Sequence, residues 1–466
     1  MNSDLGIIGL GIMGTSLARN LARNDFRLSL FNRYLKGSEE QVAQYKIEKY
    51  KELKNAIPFE DIASFVASLS KPRRILLTLT TGSAIDTVVG QLIPFLESGD
   101  LIIDGGNSHY TDTERRLQEI ESHGMYFLGL GISGGEEGAL RGPSLMPGGS
   151  KEAYDLSRDF LTSMAAVTPL GEKACAYVGN GGAGHFVKMV HNAIEYVEMQ
   201  CIAEHFEIMN KVMKISYEKI ADIFEQWNEE FESYLLEISV KILRTKDGNT
   251  YLLDRILDKA SFNQTGYWTL ITAIQNFETL SLVSSALFSR YTSNQLEDRV
   301  GMSQLKENKI NDLSLQTSQL KSAYRFTRII NHYQNFHLIA SFSKTTNWKI
   351  DMSQLCMVWS AGCIIKSKLL SQLNSVLKKQ FSPFFDPQYF NQLSEDQEAI
   401  ATLVSKIAVT DIPLPCMSQS LTYFKQMTQK NSSANMIQAQ RDFFGSHGFE
   451  IIGEPTGTLY HHKWDR

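Results

Sequence analysis

One segment of the chain places five side chains that can transfer protons or bind polar ligands at helical spacing. They are Lys188, His191, Asn192, Glu195 and Tyr196, at relative positions i, i+3, i+4, i+7 and i+8. On an α-helix these positions fall on one face. That face would carry an amine able to act as a base and a carboxyl able to act as an acid. We therefore predict that the helix lines a catalytic site; a surface helix with incidental charges is the alternative.

Length and composition indicate a globular protein of more than one domain. The chain has 466 residues, which predicts two or three domains because single cores rarely exceed about 250–300 residues. It is 43% hydrophobic and 21% charged, with a formal net charge of −5. A negative balance argues against general binding to nucleic acid or to anionic membranes, so an anionic substrate must be held by local positive groups.

Cysteine usage and the N-terminus favour a cytoplasmic protein. The five cysteines are scattered and show no paired metal-ligand spacing, so we interpret them as reduced thiols and expect no metal site. The first residues lack the basic region of a signal peptide, and the apolar run at 5–10 is too short for one. The sequence contains no run of about 18 apolar residues, so we predict no membrane span.

Two hydrophobic patterns divide the chain. Residues 1–178 alternate short apolar runs with helical stretches, which predicts an α/β, Rossmann-like domain with a doubly wound parallel sheet. The predicted strands are 5–10, 27–31, 74–79, 101–104 and 125–130. Residues 179–437 are helical in period and predict an all-α domain, with long helices at 235–243, 269–288, 315–342 and 354–373. Residues 438–466 are predicted as an ordered C-terminal tail in which 441–448 is not a helix of the bundle.

A glycine motif follows the first predicted strand and opens a helix: Gly9-Leu10-Gly11-Ile12-Met13-Gly14. In a dinucleotide-binding site the first glycine permits a tight turn, the second lets backbone N–H groups approach a pyrophosphate, and the third allows close helix–strand packing. The helix N-terminus favours the negative charge. Three spaced glycines also occur by chance, so the position between a strand and a helix is what makes the motif specific.

The end of the second predicted strand indicates which dinucleotide binds. An NAD site places Asp or Glu here to hold the ribose 2′-hydroxyl, whereas this chain has Asn32 followed by Arg33. A guanidinium binds a 2′-phosphate that an acid would repel. These residues favour NADP, and Tyr34 can stack on the adenine; an exposed arginine at a strand end is the alternative.

Three further glycine-containing loops follow predicted strands, where ligands bind in such folds. They are residues 80–83, which include Thr80, residues 104–108, which include Asn107, and residues 131–138, which include Ser133, Gly134 and Gly135. Glycines there let backbone N–H groups face a ligand, and the Asn and Ser side chains add neutral hydrogen-bonding partners. Ordinary turns would explain one such loop, but three in succession predict a ligand-binding edge.

Together with the helix of Lys188, these motifs resemble those of the β-hydroxyacid dehydrogenases. Longer stretches resemble the decarboxylating 6-phosphogluconate dehydrogenases of the long form, from end to end of the chain. They are 104–116 (DGGNSHYTDTERR), 133–149 (SGGEEGALRGPSLMPGG), 185–192 (HFVKMVHN), 362–366 (GCIIK) and 438–445 (QAQRDFFG).

The resemblance implies NADP-dependent oxidative decarboxylation of 6-phosphogluconate to ribulose 5-phosphate, a step of the pentose phosphate pathway. Neutral Lys188 would take the proton from the 3-hydroxyl as hydride passes from carbon 3 to NADP. Protonated Lys188 would then polarise the β-keto acid, which loses carbon dioxide without a metal. Glu195 would protonate carbon 1 of the enediol. The residues that would orient the substrate are Asn107, Ser133, Gly134, Gly135, His191 and Asn192.

The resemblance also implies a pocket for the substrate phosphate. Tyr196, Thr265 and Arg290 match phosphate-binding positions of the family. Asn263, in the same pocket, stands where the family has a lysine, and Tyr267 replaces a second lysine. A charge-assisted hydrogen bond contributes about 1.5–3 kcal/mol, so the first replacement bears directly on the choice of substrate.

Arg441 and His447 match a tail pair that, in the family, reaches the site of the other subunit. The resemblance therefore implies a homodimer in which the tail completes the partner's site; a subunit clasp alone is the alternative.

Three functions remain open at this point. The first is the activity of the 6-phosphogluconate dehydrogenases. The second is an NADP-dependent dehydrogenase of a related sugar acid or β-hydroxyacid, indicated by Asn263 and Tyr267 in an altered phosphate pocket. The third is a non-catalytic nucleotide-sensing or scaffolding protein, which predicts loss of Lys188 or Glu195, and both are present.

Overall fold

A seven-stranded sheet forms the N-terminal part of the protein, whose computed structural model describes residues 2–306, 313–379 and 386–464. The strands are β1 (Leu5–Ile8), β2 (Leu28–Phe31), β3 (Ile57–Phe59), β4 (Arg74–Leu77), β5 (Leu101–Asp104), β6 (Tyr126–Ser133) and β7 (Ser144–Gly149). The helices of this part are α1 (Ile12–Arg23), α2 (Val42–Lys49), α3 (Ile62–Ala67), α4 (Ser83–Leu92), α5 (Tyr110–Glu121), α6 (Gly135–Arg141) and α7 (Lys151–Met164), with short 3₁₀ helices at Lys51–Leu53 and Ile93–Phe95.

The predicted doubly wound sheet is confirmed. Its order is β3-β2-β1-β4-β5-β6-β7, so successive strands are added to opposite sides of β1, and the direction reverses between β1 and β4. Strands β1, β2 and β5 are buried along their whole length, because helices cover both faces of such a sheet. Ligands bind at the carboxyl ends of the strands where the order reverses.

The sequence patterns do not predict β3 and β7. Strand β3 has three residues, includes Pro58 and is only partly buried, so it lacks an apolar run. Strand β7 is buried throughout but reads Ser-Leu-Met-Pro-Gly-Gly, a composition typical of turns. It pairs antiparallel to β6, whereas the other described pairs of this sheet are parallel.

The rest of the chain is helical apart from a small hairpin. Its helices are α8 (Ala183–Glu207), α9 (Tyr217–Phe231), α10 (Tyr234–Arg244), α11 (Gln264–Gln275), α12 (Ser281–Asn294), α13 (Leu296–Ser303), α14 (Thr317–Thr346), α15 (Met352–Trp359), α16 (Lys368–Leu377), α17 (Pro387–Ile407), α18 (Pro415–Thr428) and α19 (Ala434–Gly445). A π-helical turn (Ile208–Val212) extends α8, a 3₁₀ helix spans Leu252–Arg255, and the hairpin pairs β8 (Lys246–Asp247) with β9 (Thr250–Tyr251). Across the described ranges, no helix combines the length and apolar character needed to cross a membrane.

Helix α8 packs directly on β6 and β7, and glycines make this close approach possible. A Cβ on Gly131 of β6 would lie 2.7 Å from the Cβ of Lys188, and one on Gly148 of β7 would collide with the backbone nitrogen of Gly184. A side chain at either position would push the helix off the sheet. The sheet therefore fixes where Lys188 stands.

The predicted helix at 269–288 is wrong as a continuous helix. It is interrupted between α11 and α12, where Phe277 has a positive φ of 58°. The N–H of Glu278 bonds back to the carbonyl of Ala273 at 2.8 Å, which closes the end of α11. The apolar pattern continues across this break, so periodicity alone does not reveal it. The helices predicted at 235–243 and 315–342 are confirmed as α10 and α14.

The predicted helix at 354–373 is also interrupted, between α15 and α16. Gly362, in the break, has a φ of 66°, and its carbonyl accepts the N–H of Ser144 in β7 at 3.0 Å. A Cβ on this glycine would lie 2.7 Å from the Cβ of Ala166. The break thus arises from a tertiary contact with the sheet domain.

Residues 441–445 of the tail are helical, which corrects the prediction for this segment. They belong to α19, which begins before the expected boundary at 437. The fully buried Asp442 accepts hydrogen bonds from the backbone N–H of Gly448 at 2.9 Å and the indole of Trp464 at 2.7 Å. The tail is therefore ordered by its own contacts. The division into units 1–178, 179–437 and 438–466 stays our proposal.

Candidate active site

An open cleft of about 1070 Å³ lies between the carboxyl edge of the sheet and helix α8. Its lining contains most of the residues predicted to bind coenzyme or substrate: Gly11, Ile12, Met13, Gly14, Thr80, Asn107, Ser133, Gly134, Gly135, Lys188, Asn192, Glu195, Asn263 and Thr265. The fold thus brings the glycine motif and the face of α8 into one space.

The glycine motif forms the turn from β1 to α1 and suits a pyrophosphate. A Cβ on Gly14 would collide with the carbonyl of Gly9, so close packing requires the third glycine. Gly11 is the N-cap of α1, where no side chain caps the helix, and a Cβ added there would meet nothing within 4 Å. The N–H groups of the first turn are therefore open to an anion in the cleft.

The residues predicted for the ribose side lie next to the glycine motif but do not line the cleft. The amide oxygen of Asn32 accepts the N–H of Leu10 at 3.3 Å, which ties the end of β2 to the motif. Arg33 has a side chain that is 72% exposed and pairs with Glu39 at 2.8 Å. The side-chain amide of Asn32 also donates to Glu39, at 2.9 Å. Tyr34 is exposed beside them. The bonds to Glu39 use Nε and Nη2 of the guanidinium, so an anion bound by Arg33 would lie close to this carboxylate.

A chain of hydrogen bonds runs along the predicted face of α8. The amine of Lys188 donates to Oδ1 of Asn192 at 2.9 Å, and Nδ1 of His191 lies 3.1 Å from the same oxygen. An amide oxygen only accepts, so Nδ1 carries the proton and Nε2 accepts from the hydroxyl of Ser133, 3.0 Å away. The amide of Asn192 donates to the hydroxyl of Thr265 at 3.0 Å. The geometry holds the amine between the sheet and α11.

Burial moves the pKa values of the two proposed catalytic groups in opposite directions. Lys188 is 7% exposed, and burial lowers its pKa, although Glu195 and Cys363 oppose this. Burial also raises the pKa of Glu195, against the nearby charges of Lys188 and Arg290. A neutral amine accepts a proton and a protonated carboxyl donates one, so the pair suits a base and an acid.

His191 is placed to orient groups and not to carry charge. It is completely buried, and burial, assisted by the nearby Lys188, lowers its pKa well below the ordinary value. The neutral ring links Ser133 to Asn192 through its two nitrogens.

Tyr196, Asn263 and Arg290 gather at the outer end of the α8 face. The Tyr196 hydroxyl donates to Oδ1 of Asn263 at 2.9 Å and accepts the backbone N–H of the same residue at 2.9 Å. Oδ1 of Asn263 also accepts from Thr265, because Asn263 is the N-cap of α11. The guanidinium of Arg290 lies 3.8 Å from the centre of the Tyr196 ring and donates to the carbonyl of Ser261 at 2.7 Å. This end of the site holds one cation and a neutral amide.

Two family models together match almost the whole chain. The model described as the NAD binding domain of 6-phosphogluconate dehydrogenase matches residues 4–179, and the model of the 6-phosphogluconate dehydrogenase C-terminal domain matches residues 184–464. The chain belongs to the 6-phosphogluconate dehydrogenase family.

Individual members of the 6-phosphogluconate dehydrogenase family align over the full length. The decarboxylating enzyme of Lactococcus lactis subsp. lactis is 37% identical, with 99% of this chain and 98% of the relative covered. That of Escherichia coli K12 gives the same identity and coverage. Among solved structures, the Plasmodium falciparum 6-phosphogluconate dehydrogenase superposes with a TM-score of 0.92 at 32% identity, covering 99% of this chain and 100% of that one. It is described in apo form and in complexes with NADP⁺ and with 6-phosphogluconate.

The cleft lining lacks five residues predicted from the 6-phosphogluconate dehydrogenase resemblance, namely His191, Tyr196, Arg290, Arg441 and His447. His191 and Tyr196 lie on α8, and Arg290 packs on the Tyr196 ring. Arg441 and His447 lie in the tail, and both are exposed. Arg441 donates to the side chain of Gln438 at 3.3 Å, and the His447 ring packs against Phe444. Asp442 holds the segment between them in shape.

The cleft also contains residues that the sequence patterns did not assign. These are Thr78, His109, Asp112, Gln264, Trp268 and Ile364, among others. Gln264 and Trp268 lie close to Thr265 in sequence, Ile364 lies in the 362–366 motif, and His109 and Asp112 lie in the 104–116 motif, so the motifs themselves point to these five. Thr78 follows β4 without a glycine or a charge to mark it. Within the described residues, no group of three or more His, Cys, Asp or Glu side chains is placed to hold a metal ion.

Proposed function

We propose that this protein catalyses the NADP-dependent oxidative decarboxylation of 6-phosphogluconate to ribulose 5-phosphate and carbon dioxide. The single observation that carries this function is the pair Lys188 and Glu195, with opposed pKa shifts on one face of α8 in the coenzyme cleft. Family membership supports the substrate, since full-length relatives bear the name of this enzyme.

The coenzyme site uses the N-terminal part of the cleft. Bound NADP supplies the acceptor for the hydride that leaves carbon 3 of the substrate. The open N–H groups at Gly11 would hold the pyrophosphate, and Arg33, released from Glu39, would hold the 2′-phosphate. Tyr34 would cover the adenine. The remaining proposed coenzyme contacts are Gly9, Leu10, Ile12, Met13, Gly14, Asn32, Thr80 and Asn107.

Lys188 begins the reaction as a base and continues it as an acid. Its neutral amine takes the proton of the 3-hydroxyl as the hydride departs, which leaves a 3-keto acid. The ammonium then returns that proton to the keto oxygen as the bond to the carboxylate carbon breaks and carbon dioxide leaves. Asn192 accepts hydrogen bonds from both the Lys188 amine and His191. These bonds would orient the amine toward the 3-hydroxyl of the substrate.

Glu195 completes the reaction as an acid. The enediol left by decarboxylation gains a proton on carbon 1 from the Glu195 carboxyl, while Lys188 takes the proton of the enediol hydroxyl. The product is ribulose 5-phosphate, and the proton gained by Lys188 and lost by Glu195 exchanges with solvent. Burial raises the pKa of Glu195, which favours the protonated carboxyl that this step needs.

The substrate phosphate would bind at the outer end of the α8 face. Arg290, Tyr196 and Thr265 would contact it, with Asn263 as a neutral partner, while Ser133, Gly134 and Gly135 would face the carboxylate end. The homodimer would be the working unit, with Arg441 and His447 of a second copy completing each phosphate pocket. Exposed apolar residues of α19, including Met436, Ile437 and Phe444, support burial of the tail against another chain. The free thiols of all five cysteines support a cytoplasmic location.

The test is a coupled assay on the full-length protein. NADPH absorbance and carbon dioxide release are followed together with 6-phosphogluconate and, in parallel, with gluconate. Equimolar NADPH and carbon dioxide from the phosphorylated substrate are expected. NADPH formed without carbon dioxide would contradict decarboxylation.

A second candidate substrate is an unphosphorylated sugar acid. It is favoured by one observation, the neutral Asn263 engaged with Tyr196 and Thr265 where the family has a lysine. Turnover of gluconate with none of 6-phosphogluconate in the same assay would establish it.

A further inference from the structure

We propose that the helical region contains a second ligand site, which binds a small oxyanion of phosphate size. The site is a cavity of about 270 Å³ between α9, α14, α16 and α17, here called the α14–α16 cavity. It shares no lining residue with the active-site cleft. The polar residues of its wall that matter here are Glu230, Arg325, Arg328, Lys368, Gln372 and Gln388.

The central observation is the guanidinium of Arg328. The residue is 3% exposed, and its Nε donates to both oxygens of the buried Glu198, at 3.0 and 2.9 Å. Its Nη1 and Nη2 donate to no acceptor in the described part of the chain. Neither nitrogen is among the fully enclosed unpartnered atoms of the described residues, so both are accessible from the space of the cavity. Since Arg328 lines the cavity, an acceptor placed there would satisfy these groups.

The carboxylates around the cavity pair with other cations, and among the described residues only Glu198 accepts from Arg328. Glu230 receives Arg325 at 3.0 Å on one oxygen and Lys321 at 2.7 Å on the other. Asp396 receives Arg325 on both oxygens, at 2.7 and 2.8 Å. Lys368, in the wall, pairs with Glu232 at 3.3 Å, so the fixed charges are largely balanced and the surplus donors are Nη1 and Nη2 of Arg328.

The N-terminus of α16 adds further donors. This helix of ten residues begins at Lys368, and its N-cap, Ser367, makes no side-chain cap. The hydroxyl of Ser367 is buried without a hydrogen-bond partner in the described structure. Lys368 and Leu369, in the first turn, line the cavity. The N-terminal N–H groups and the helix dipole thus favour an anion on the same side as Arg328.

Phosphate chemistry fits this arrangement best. A guanidinium with two free nitrogens and a helix N-terminus are both common phosphate ligands. Their donors reach the cavity from different elements, which suits a tetrahedral group with several acceptor oxygens. A planar carboxylate, with two oxygens, would leave part of this donor set unused.

The test measures binding of inorganic phosphate to the full-length protein by titration calorimetry at low ionic strength. Wild type is compared with Gln372→Glu, which adds a negative charge to the cavity wall, and with Ser375→Glu, which adds the same charge to an exposed position of the same helix outside the cavity. We expect roughly tenfold weaker binding for the first variant, because its carboxylate lies in the cavity wall and repels an anion at short range. The second variant should bind like wild type, and acetate should bind more weakly than phosphate.

A second wall variant, Gln388→Glu, keeps the test decisive if Gln372→Glu fails to fold, as judged by circular dichroism. It lies on α17, so it approaches the cavity from another helix, and the same loss is expected. Equal phosphate affinity in wild type and all variants would place the ion elsewhere and overturn the site. Absence of saturable phosphate binding to wild type would overturn it as well.

Discussion

The amide oxygen of Asn192 lies 2.9 Å from the amine of Lys188 and accepts a hydrogen bond from it. This acceptor is neutral, so it orients the amine without the charge that would stabilise an ammonium. Thr265 accepts from the other end of the same amide at 3.0 Å and fixes its direction. A carboxylate in place of the amide would keep an acceptor beside the amine, lose the hydrogen bond donated to Thr265 and add a negative charge.

Asn192→Asp is therefore expected to raise the pKa of Lys188. Burial lowers that pKa, and the reaction needs the neutral amine, so activity should rise with pH through the lowered pKa. The variant should move this acidic limb of kcat/KM to higher pH, as measured by a pH–rate profile. Thr265→Val, which removes a hydrogen bond to Asn192 without adding charge, is the control and should leave the limb in place. An unmoved limb in Asn192→Asp would show that Lys188 is not the titrating base.

Lys188→Met should abolish the base. We expect kcat to fall roughly 100- to 10,000-fold, the usual contribution of general acid–base catalysis. NADP binding, followed by quenching of protein fluorescence, should be retained, because the glycine motif is untouched. Lys151→Met, an exposed lysine on α7, is the matched control and should keep wild-type kcat.

Glu195→Gln should remove the acid that protonates carbon 1. Burial raises the pKa of Glu195, and the carboxyl must be protonated to act, so wild-type activity should fall as pH rises through that raised pKa. The glutamine variant should show a kcat roughly 100-fold lower and no such alkaline limb in its profile. Glu207→Gln, near the end of the same helix and paired with Lys211, serves as the control. A persistent alkaline limb in Glu195→Gln would assign it to another group.

Asn263→Lys tests whether a positive charge at this position strengthens binding of the substrate phosphate. A lysine here would add a charge-assisted hydrogen bond of about 1.5–3 kcal/mol, so KM for 6-phosphogluconate should fall roughly tenfold. Any turnover of gluconate should not improve, since it lacks the phosphate. Asn263→Gln, which keeps the amide and adds no charge, separates the effect of charge from that of size. Equal gains on both substrates would contradict a phosphate pocket at this position.

Arg33→Ala tests coenzyme choice. Loss of the guanidinium should raise KM for NADP at least tenfold and leave KM for NAD nearly unchanged. Glu39→Gln, which frees the guanidinium from its ion pair, should act in the opposite direction and lower KM for NADP. If KM for NAD changes as much as KM for NADP in either variant, these residues stabilise the loop and do not recognise the 2′-phosphate.

The sequence predicts the elements whose patterns are local and uniform. β1, β2, β4 and β5 lie within predicted strands because each is short and mostly apolar, and β6 extends the one predicted at 125–130. The five side chains on α8 share a face because helical geometry fixes it. The predicted glycine motif lies on the cleft because its turn and helix N-terminus are adjacent in sequence.

Features set by contacts distant in sequence were not predictable in this way. The break at Gly362 depends on a carbonyl that meets Ser144, more than two hundred positions earlier. Glu39 forms an ion pair with the guanidinium of Arg33. The turn that brings the two side chains together carries no sequence motif that would predict it. The pKa shifts of Lys188 and Glu195 come from burial beneath several elements at once, which residue types and spacing do not encode.

The position of Arg441 and His447 outside the cleft of their own chain has a genetic consequence. If each tail serves the neighbouring site, a chain that lacks Lys188 and a chain that lacks Arg441 damage the same site when they assemble together. The other site of that hybrid then has an intact lysine from one chain and an intact arginine from the other. Two inactive alleles could therefore complement each other when expressed in one cell.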